Sequence, residues 1–249
     1  MTDTSLPANR FAERDFRVGR TINDAFSVMT RNFVMFCAVT LVTSLPSVFS
    51  TFYQSQLDTE SIYIVVLFVL GILLSALLGA VAQASIVYGA FEDMRGRPVD
   101  IVKSIQVGLR RFFPVIGLVL LAALGVGLAS ILLVFPGVML FVMWYVAVPV
   151  CVVERAGPIV SMGRSRELTK GFRWKVFGML LLVGLFQMMG AGVIAGMSYT
   201  AGTAVGLIVN LIWTAIVSAF SAVLAVVAYH DLRVAKEGVD TDQIAAVFE

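Results

Sequence analysis

Few side chains in this sequence could do chemistry. There is one histidine, His230, and there are two cysteines, Cys37 and Cys151, in 249 residues. Acid–base or metal-assisted catalysis needs several titratable groups converging on one point. A lone imidazole at the end of an apolar run does not meet that need, and no Cys/His grouping has metal-ligand spacing. No Gly-rich phosphate loop follows a strand, and no nucleophile–base pair can be drawn. His230 reads as a residue of the membrane–water boundary. The cysteines read as small core residues instead of a disulfide. Glu154 ends an apolar run, where it can pair with Arg155 or with the basic stretch at 164–175. No catalytic, cofactor-binding or metal-binding residue is assigned, no cofactor is expected, and the chain reads as non-enzymatic.

Two other groups of residues remain. The first is polar, uncharged and set inside long apolar runs: Thr43, Ser44, Gln187 and Thr214, with Gln83 and Asn210. In a bilayer such side chains either hydrogen-bond between helices, at about 0.6 kcal/mol each, or line a solute pathway. A buried polar cavity joining Gln187, Thr43 and Thr214 would favour the pathway; a solid apolar core would favour the structural role. Trp144 and Tyr145, in the middle of a run, are expected in a packed core. The second group is cationic. Lys103, Arg110 and Arg111 are spaced to share one side of a helix, and Lys170, Arg173 and Lys175 lead into a later run. At headgroup depth each cation would attract anionic lipid by about 1 kcal/mol. The same charges also serve as a topology signal.

Apolar helices must position both groups. Hydrophobic residues are 59% of the chain and charged residues 14%, against about a quarter charged in a soluble domain. That composition predicts an all-α integral membrane bundle of six spans, near 33–53, 61–90, 114–134, 136–153, 176–198 and 204–229. Amphipathic segments precede the first, third and fifth spans, giving three cytoplasmic interfacial helices and a helix-plus-hairpin unit used three times. Met29-Thr30-Arg31-Asn32-Phe33, Leu109-Arg110-Arg111-Phe112-Phe113 and Leu168-Thr169-Lys170-Gly171-Phe172 mark the junctions. Ancestral triplication and the shared physics of membrane insertion both account for this repeat. Its third copy is weakest, because Ser161 and Ser165 fall where apolar residues are expected.

All 18 Lys and Arg lie in the amino-terminal segment, the two even-numbered connectors or the carboxyl-terminal tail. By the positive-inside rule both termini are cytoplasmic. The polar first ten residues predict no cleavable signal, so residues 1–15 form a disordered tail and 16–230 the membrane domain. Residues 231–249 form a cytoplasmic tail with a short helix, in which Arg233 and Glu237 pair and Gly238 ends a turn. Asp240 and Gln243 then have capping-box spacing. Phe135-Pro136-Gly137 is expected to turn the third span into the fourth. Pro46 leaves the Val42 carbonyl without its helical partner, and Thr43 and Ser44 stand beside it to help satisfy the backbone.

Two stretches carry a resemblance. The first holds Phe135-Pro136-Gly137, Val148-Pro149-Val150, Glu154, Gly157-Pro158 and Arg164-Ser165-Arg166-Glu167-Leu168-Thr169-Lys170-Gly171. The second is Tyr229-His230-Asp231-Leu232-Arg233 with Lys236-Glu237-Gly238-Val239-Asp240. Together they resemble bacterial polytopic membrane proteins related to the membrane domain attached to some glycerophosphodiester phosphodiesterases, and to other families of unknown function. The resemblance spans about residues 16–240 and implies a six-helix protein of the bacterial cytoplasmic membrane. It does not imply the hydrolase, whose soluble acidic barrel has no room here. The leading expectation is a component that organises lipid or partner proteins; the alternative is a transporter or channel for a small or lipidic solute. Membrane lipids, anionic ones included, are the expected partners. A membrane-protein partner or a second copy stays open, and nucleic acid is not expected.

Overall fold

The computed structural model describes residues 16–56 and 62–237, and among them the regular structure is entirely helical. The helices are α1 (Val18–Arg31), α2 (Phe33–Gln56), α3 (Ile62–Met94), α4 (Ile101–Arg110) and α5 (Phe112–Leu132), followed by α6 (Val134–Trp144), α7 (Ala147–Val153), α8 (Pro158–Thr169), α9 (Arg173–Ala201) and α10 (Thr203–Glu237). Five stretches are each long and apolar enough to cross a membrane: Val65–Met94, Phe112–Leu132, Val134–Val153, Arg173–Ala201 and Ala204–Glu237. The α1–α2 pair, bent by 85°, brings the number to six. The 24 residues of α2 extend ~36 Å at the helical rise, enough for a ~30 Å hydrocarbon layer. The chain is an all-α membrane bundle.

Short helices α1, α4 and α8 each precede a long antiparallel pair, so the helix-plus-hairpin order occurs three times. Each junction has its own local cause. Pro114 in the first turn of α5 has no N–H for the Arg110 carbonyl, so α4 ends there and the chain turns at Arg111. Arg111 is therefore the hinge between two helices, and does not lie on one helix with Lys103 and Arg110 as their spacing predicts. The third junction turns at Gly171, whose φ of +93° is costly for any residue with a Cβ.

Other boundaries also differ from the sequence reading. The third span turns into the fourth at Leu133, which is extended at φ −158°, ψ 138°. Phe135-Pro136-Gly137 instead forms the first turn of α6, where the missing proline N–H costs no hydrogen bond. The fourth span is itself broken between α6 and α7 at Tyr145–Val146. Pro149 is the reason: it cannot bond the Tyr145 carbonyl, and its ring crowds that group. The expected tail helix is a continuation of α10, tied by Arg233 Nε to Glu237 Oε2 at 3.1 Å. Gly238, the Asp240–Gln243 spacing and the tail at 1–15 lie outside the described residues.

All described charged side chains gather at one end, the basic end. There α1 turns under the bundle and packs on α10, burying Thr21, Ala25, Val28 and Met29. Arg31 bridges to Asp93 at 2.6 Å, Asn32 Nδ2 donates to the same carboxylate at 2.8 Å, and Thr21 Oγ1 donates to Asp231 at 2.6 Å. The buried side chains gather at this end too. On α3 none of the described side chains from 63 to 79 is buried, whereas Ala80, Ala82, Ala84, Ile86, Val87 and Ala90 are. On α10 every residue from 222 to 229 is buried, and on α9 Val176 and Met179 near its start are. The helices pack tightly at the basic end and separate towards the neutral end.

Candidate functional site: an intramembrane cavity

Where the helices begin to separate lies a cavity of about 910 Å³. Its boundary towards the basic end is formed by Ile86, Leu118, Val148 and Ala225, and its opposite rim by Ser47, Ser75, Gly127 and Gln187. Ser44 is eleven residues along α2 from Phe33, and Gln83 is eleven back along α3 from Met94. At 1.5 Å per residue both sit ~17 Å into their spans, near mid-depth. The volume falls within the range of small-molecule sites, roughly 300–1,000 Å³.

The α2 wall carries four hydroxyls in register. Thr40, Thr43, Ser44 and Ser47 recur at i, i+3, i+4 and i+7, which places them on one face. Thr40 Oγ1 donates to the Ala215 carbonyl of α10 at 2.8 Å and fixes α2 against it. Thr43 donates to the Val39 or Thr40 carbonyl at 3.1 Å, Ser44 to Thr40 at 2.7 Å and Ser47 to Ser44 at 2.8 Å. Thr43 and Ser44 therefore bond the turn before them, and do not serve the Val42 carbonyl left open by Pro46. Their protons are spent within α2, which leaves oxygen lone pairs towards the cavity.

Opposite walls add groups with protons to give. Ser218 and Ser221 line the cavity from α10, and Gln83 and Gln187 from α3 and α9. The Ser75 hydroxyl on the rim is buried with no hydrogen-bond partner among the described residues. Aromatic Trp144 and Tyr145 pack against the core, as expected, and also form part of the cavity wall. The Trp144 ring lies over Gly125, so close that a Cβ there would sit 2.7 Å from it. Gly190 seats the Trp213 ring in the same way, whereas Gly192 and Gly196 have open space beside them.

Of the residues singled out in the sequence, Thr43, Ser44, Gln83 and Gln187 meet at this cavity. Thr214 does not: its hydroxyl bonds Asn210 Oδ1 at 3.0 Å on its own helix, in an exposed position. Thr40, Ser47, Ser75, Ser218 and Ser221 join them there, without a sequence signal that marks any one of them. The hydroxyl stripe on α2 was readable as i, i+3, i+4, i+7 spacing within an apolar run, but each Ser or Thr taken singly looks ordinary.

The cations divide. Lys103, near Asp100 at 3.7 Å, and Arg110 are exposed on α4, whose buried face is only Ser104 and Gly108. Ile101, Val102 and Leu109 of that helix are exposed as well, which suits a helix at the membrane surface. Lys170 is also exposed. Arg111 and Lys175 are held by the protein: Arg111 Nη1 donates to the Arg155 carbonyl at 3.3 Å and Lys175 Nζ to the Phe16 carbonyl at 3.1 Å. Arg173 Nε is buried without a hydrogen-bond partner among the described residues.

At the basic end, past the cavity boundary, a polar cluster ties α7, α8 and α10 together. Tyr229, fully buried, donates its hydroxyl to Glu154 Oε1 at 2.8 Å. Arg164 lies 3.5 Å from the same carboxylate and bonds Glu237, which also receives Arg233. Burial works against the Arg164 charge, but the Glu237 and Glu154 carboxylates outweigh it and raise its pKa above the ordinary value. Glu154 thus pairs with the basic stretch, as one of its two readings expected.

The serine-bearing face of α8 has a structural use. Ser165 Oγ donates to the Met143 carbonyl at 2.8 Å, and Thr169 Oγ1 approaches it at 3.4 Å. The break between α6 and α7 takes away that carbonyl's helical partner, and α8 supplies a replacement.

Fold and site together define a multi-pass α-helical membrane protein with a largely apolar cavity at mid-depth that carries hydroxyl and amide groups and, among the described residues, no charge. No protein-family model matches the chain, and comparison with curated proteins and with solved structures gives no match.

Proposed function

We propose that the chain is a non-enzymatic protein of a bacterial cytoplasmic membrane, with both termini cytoplasmic, that takes a small or lipidic solute into its intramembrane cavity and moves it. The cavity is the observation that carries this reading. The sequence reading asks for a buried polar cavity joining Gln187, Thr43 and Thr214; the cavity joins Thr43 and Gln187 in a largely apolar wall, and Thr214 lies outside it. A component that only organised its neighbours would have no evident use for a cavity of this size carrying hydroxyl and amide groups at mid-depth. The resemblance to membrane domains attached to phosphodiesterases belongs to the same proposal and supports the bacterial membrane.

The test is retention. The protein is extracted in mild detergent, and the small molecules and lipids that stay with it are identified by mass spectrometry. Ala123→Phe fills the cavity from a wall position that is exposed into it, so folding should survive. A retained compound that disappears in this variant, at unchanged thermal stability, supports the reading. The same retained set in both proteins refutes it.

One observation favours a second role alongside the first. Exposed Lys103 and Arg110 on a surface helix with exposed Ile101, Val102 and Leu109 would gather anionic lipid around the bundle.

A further inference from the structure

The cavity's hydrogen-bonding chemistry narrows what it can hold, given the solute-binding reading above. No charged residue lines it among the described residues. An anionic or cationic group brought to mid-depth would leave water without gaining a counter-charge, at a cost of several kcal/mol. A phosphate-bearing or ammonium-bearing headgroup is therefore excluded from the interior. The α2 stripe offers acceptors, because Thr43 and Ser44 spend their protons on their own helix. A ligand facing that wall must donate. Gln83, Gln187 and Ser221, which make no hydrogen bond among the described residues, can both donate and accept. The group that fits is neutral and carries at least one O–H proton as well as lone pairs, which is the chemistry of an alcohol.

The rest of the wall is apolar. Val119, Val126 and Phe141 line it between the polar groups. Towards the neutral end the helices separate, with Leu128 and Ile131 of α5 exposed by 63% and 83%. A chain of methylenes leaving the cavity sideways between these separated helices would meet apolar side chains and lipid. At ~30 Å³ per molecule the space alone would hold about thirty waters, a costly content so deep in a bilayer.

We infer that the cavity binds the neutral, hydroxyl-bearing headgroup of a lipid, with its hydroxyl on Thr43 and Ser44 of α2 and the acyl chains passing out between the separated helices.

Trp144 in the cavity wall is the reporter. The chain has three tryptophans, so Trp174→Phe with Trp213→Phe leaves Trp144 alone. The protein is placed in phosphatidylcholine nanodiscs, and lipids with brominated acyl chains are titrated in at low mole fraction to quench it. The probes are diacylglycerol, the same lipid with its hydroxyl methylated, and phosphatidylglycerol. Diacylglycerol should quench saturably, and unbrominated diacylglycerol should reverse the quenching. The methyl ether, short of one hydrogen bond, should need about five-fold more lipid for half-quenching. Equal quenching by the ether overturns the hydrogen-bonded headgroup, and equal or stronger quenching by phosphatidylglycerol overturns the preference for neutral lipid. If free glycerol displaces brominated diacylglycerol as well as unbrominated diacylglycerol does, the occupant is a water-soluble polyol and the lipid inference falls. In those three outcomes the cavity still binds a solute. Quenching that only tracks bulk lipid for every probe, with no effect of glycerol, overturns the solute-binding reading itself.

Discussion

Ser165 provides the sharpest test of how the fourth span tolerates its break. The residue is fully buried, and its hydroxyl donates to the Met143 carbonyl at 2.8 Å. Ser165→Ala removes that bond and leaves a buried carbonyl with one weaker donor, Thr169 at 3.4 Å. A lost hydrogen bond costs about 0.5–1.5 kcal/mol, and an unsatisfied buried acceptor about 1–3. With Thr169 in partial support the expectation is about 1 kcal/mol, or roughly 2–4 °C in Tm for a chain of this size. Ser161→Ala is the control. Ser161 is equally buried, but its hydroxyl bonds the Gly157 carbonyl, which the Ser161 backbone N–H already serves. That substitution should cost less than half as much. The decisive arm is a double-mutant cycle with Pro149→Ala. Restoring an N–H at 149 lets the backbone close towards the Tyr145 carbonyl, so Met143 regains helical neighbours and Ser165 matters less. Thermal unfolding followed by tryptophan fluorescence in one detergent reads all four proteins, and the Ser165 penalty should shrink when Pro149 is absent. A fully additive cycle, or Ser165→Ala no worse than Ser161→Ala, would refute the idea that α8 caps the broken span.

Four further outcomes are expected. Gly108→Ala should destabilise by about 1–3 kcal/mol, since its Cβ would meet the Ser85 hydroxyl and the Val81 carbonyl of α3, the latter at 2.8 Å; a Tm equal to wild type would contradict that contact. Gln187→Leu should leave Tm within a few degrees, because Gln187 makes no hydrogen bond among the described residues, while weakening several-fold the retention of any compound held in the cavity; a large loss of Tm would mark it as a packing residue instead. Lys103→Gln with Arg110→Gln should lower the anionic lipid that copurifies at unchanged Tm, whereas Arg111→Gln and Lys175→Gln, which lose bonds to carbonyls, should lower Tm; mass spectrometry and thermal unfolding separate the two pairs. In a background without Cys37 and Cys151, Cys reporters at exposed Arg166 and Thr200 should be labelled from opposite sides of the membrane, and labelling from the same side would overturn the topology.

The fold was legible where physics acts on many residues together. The apolar run lengths specify membrane spans, and the one-sided distribution of Lys and Arg marks the end at which α1, α4 and α8 gather. It was less legible at single residues whose effect depends on what stands next to them. Pro136 and Pro149 look alike in sequence, yet one sits harmlessly in the first turn of α6 and the other breaks the span. The difference is whether the carbonyl four residues back needs the missing N–H. The cavity was half legible. Thr43, Ser44 and Gln187 were visible as polar groups in apolar runs, but Ser218 and Ser221 acquire meaning only because α10 turns them towards α2. Thr214, chemically no different, turns elsewhere.

Burial and charge share one end of the bundle, and this asymmetry connects the observations. An antiparallel hairpin gains nothing from the hydrophobic effect inside lipid, so association there rests on packing and polar bonds. At the basic end both are plentiful: Arg31 on Asp93, Thr21 on Asp231, Tyr229 and Arg164 on Glu154, and Ala- and Val-rich turns of α3 and α10 between them. At the neutral end they are sparse. Gly137 lies against Ser130 and Gly206 against Ser198, but each contact joins the two helices of one hairpin and not one hairpin to another. Hairpins clamped at one end and loosely held at the other leave a space between them that begins where the clamping stops. The hydroxyl stripe of α2 lies at that boundary, where Thr40 still bonds α10 and Thr43, Ser44 and Ser47 face the open volume. The charges at the basic end therefore help to hold the helices together there, and the cavity follows from holding them at that end alone.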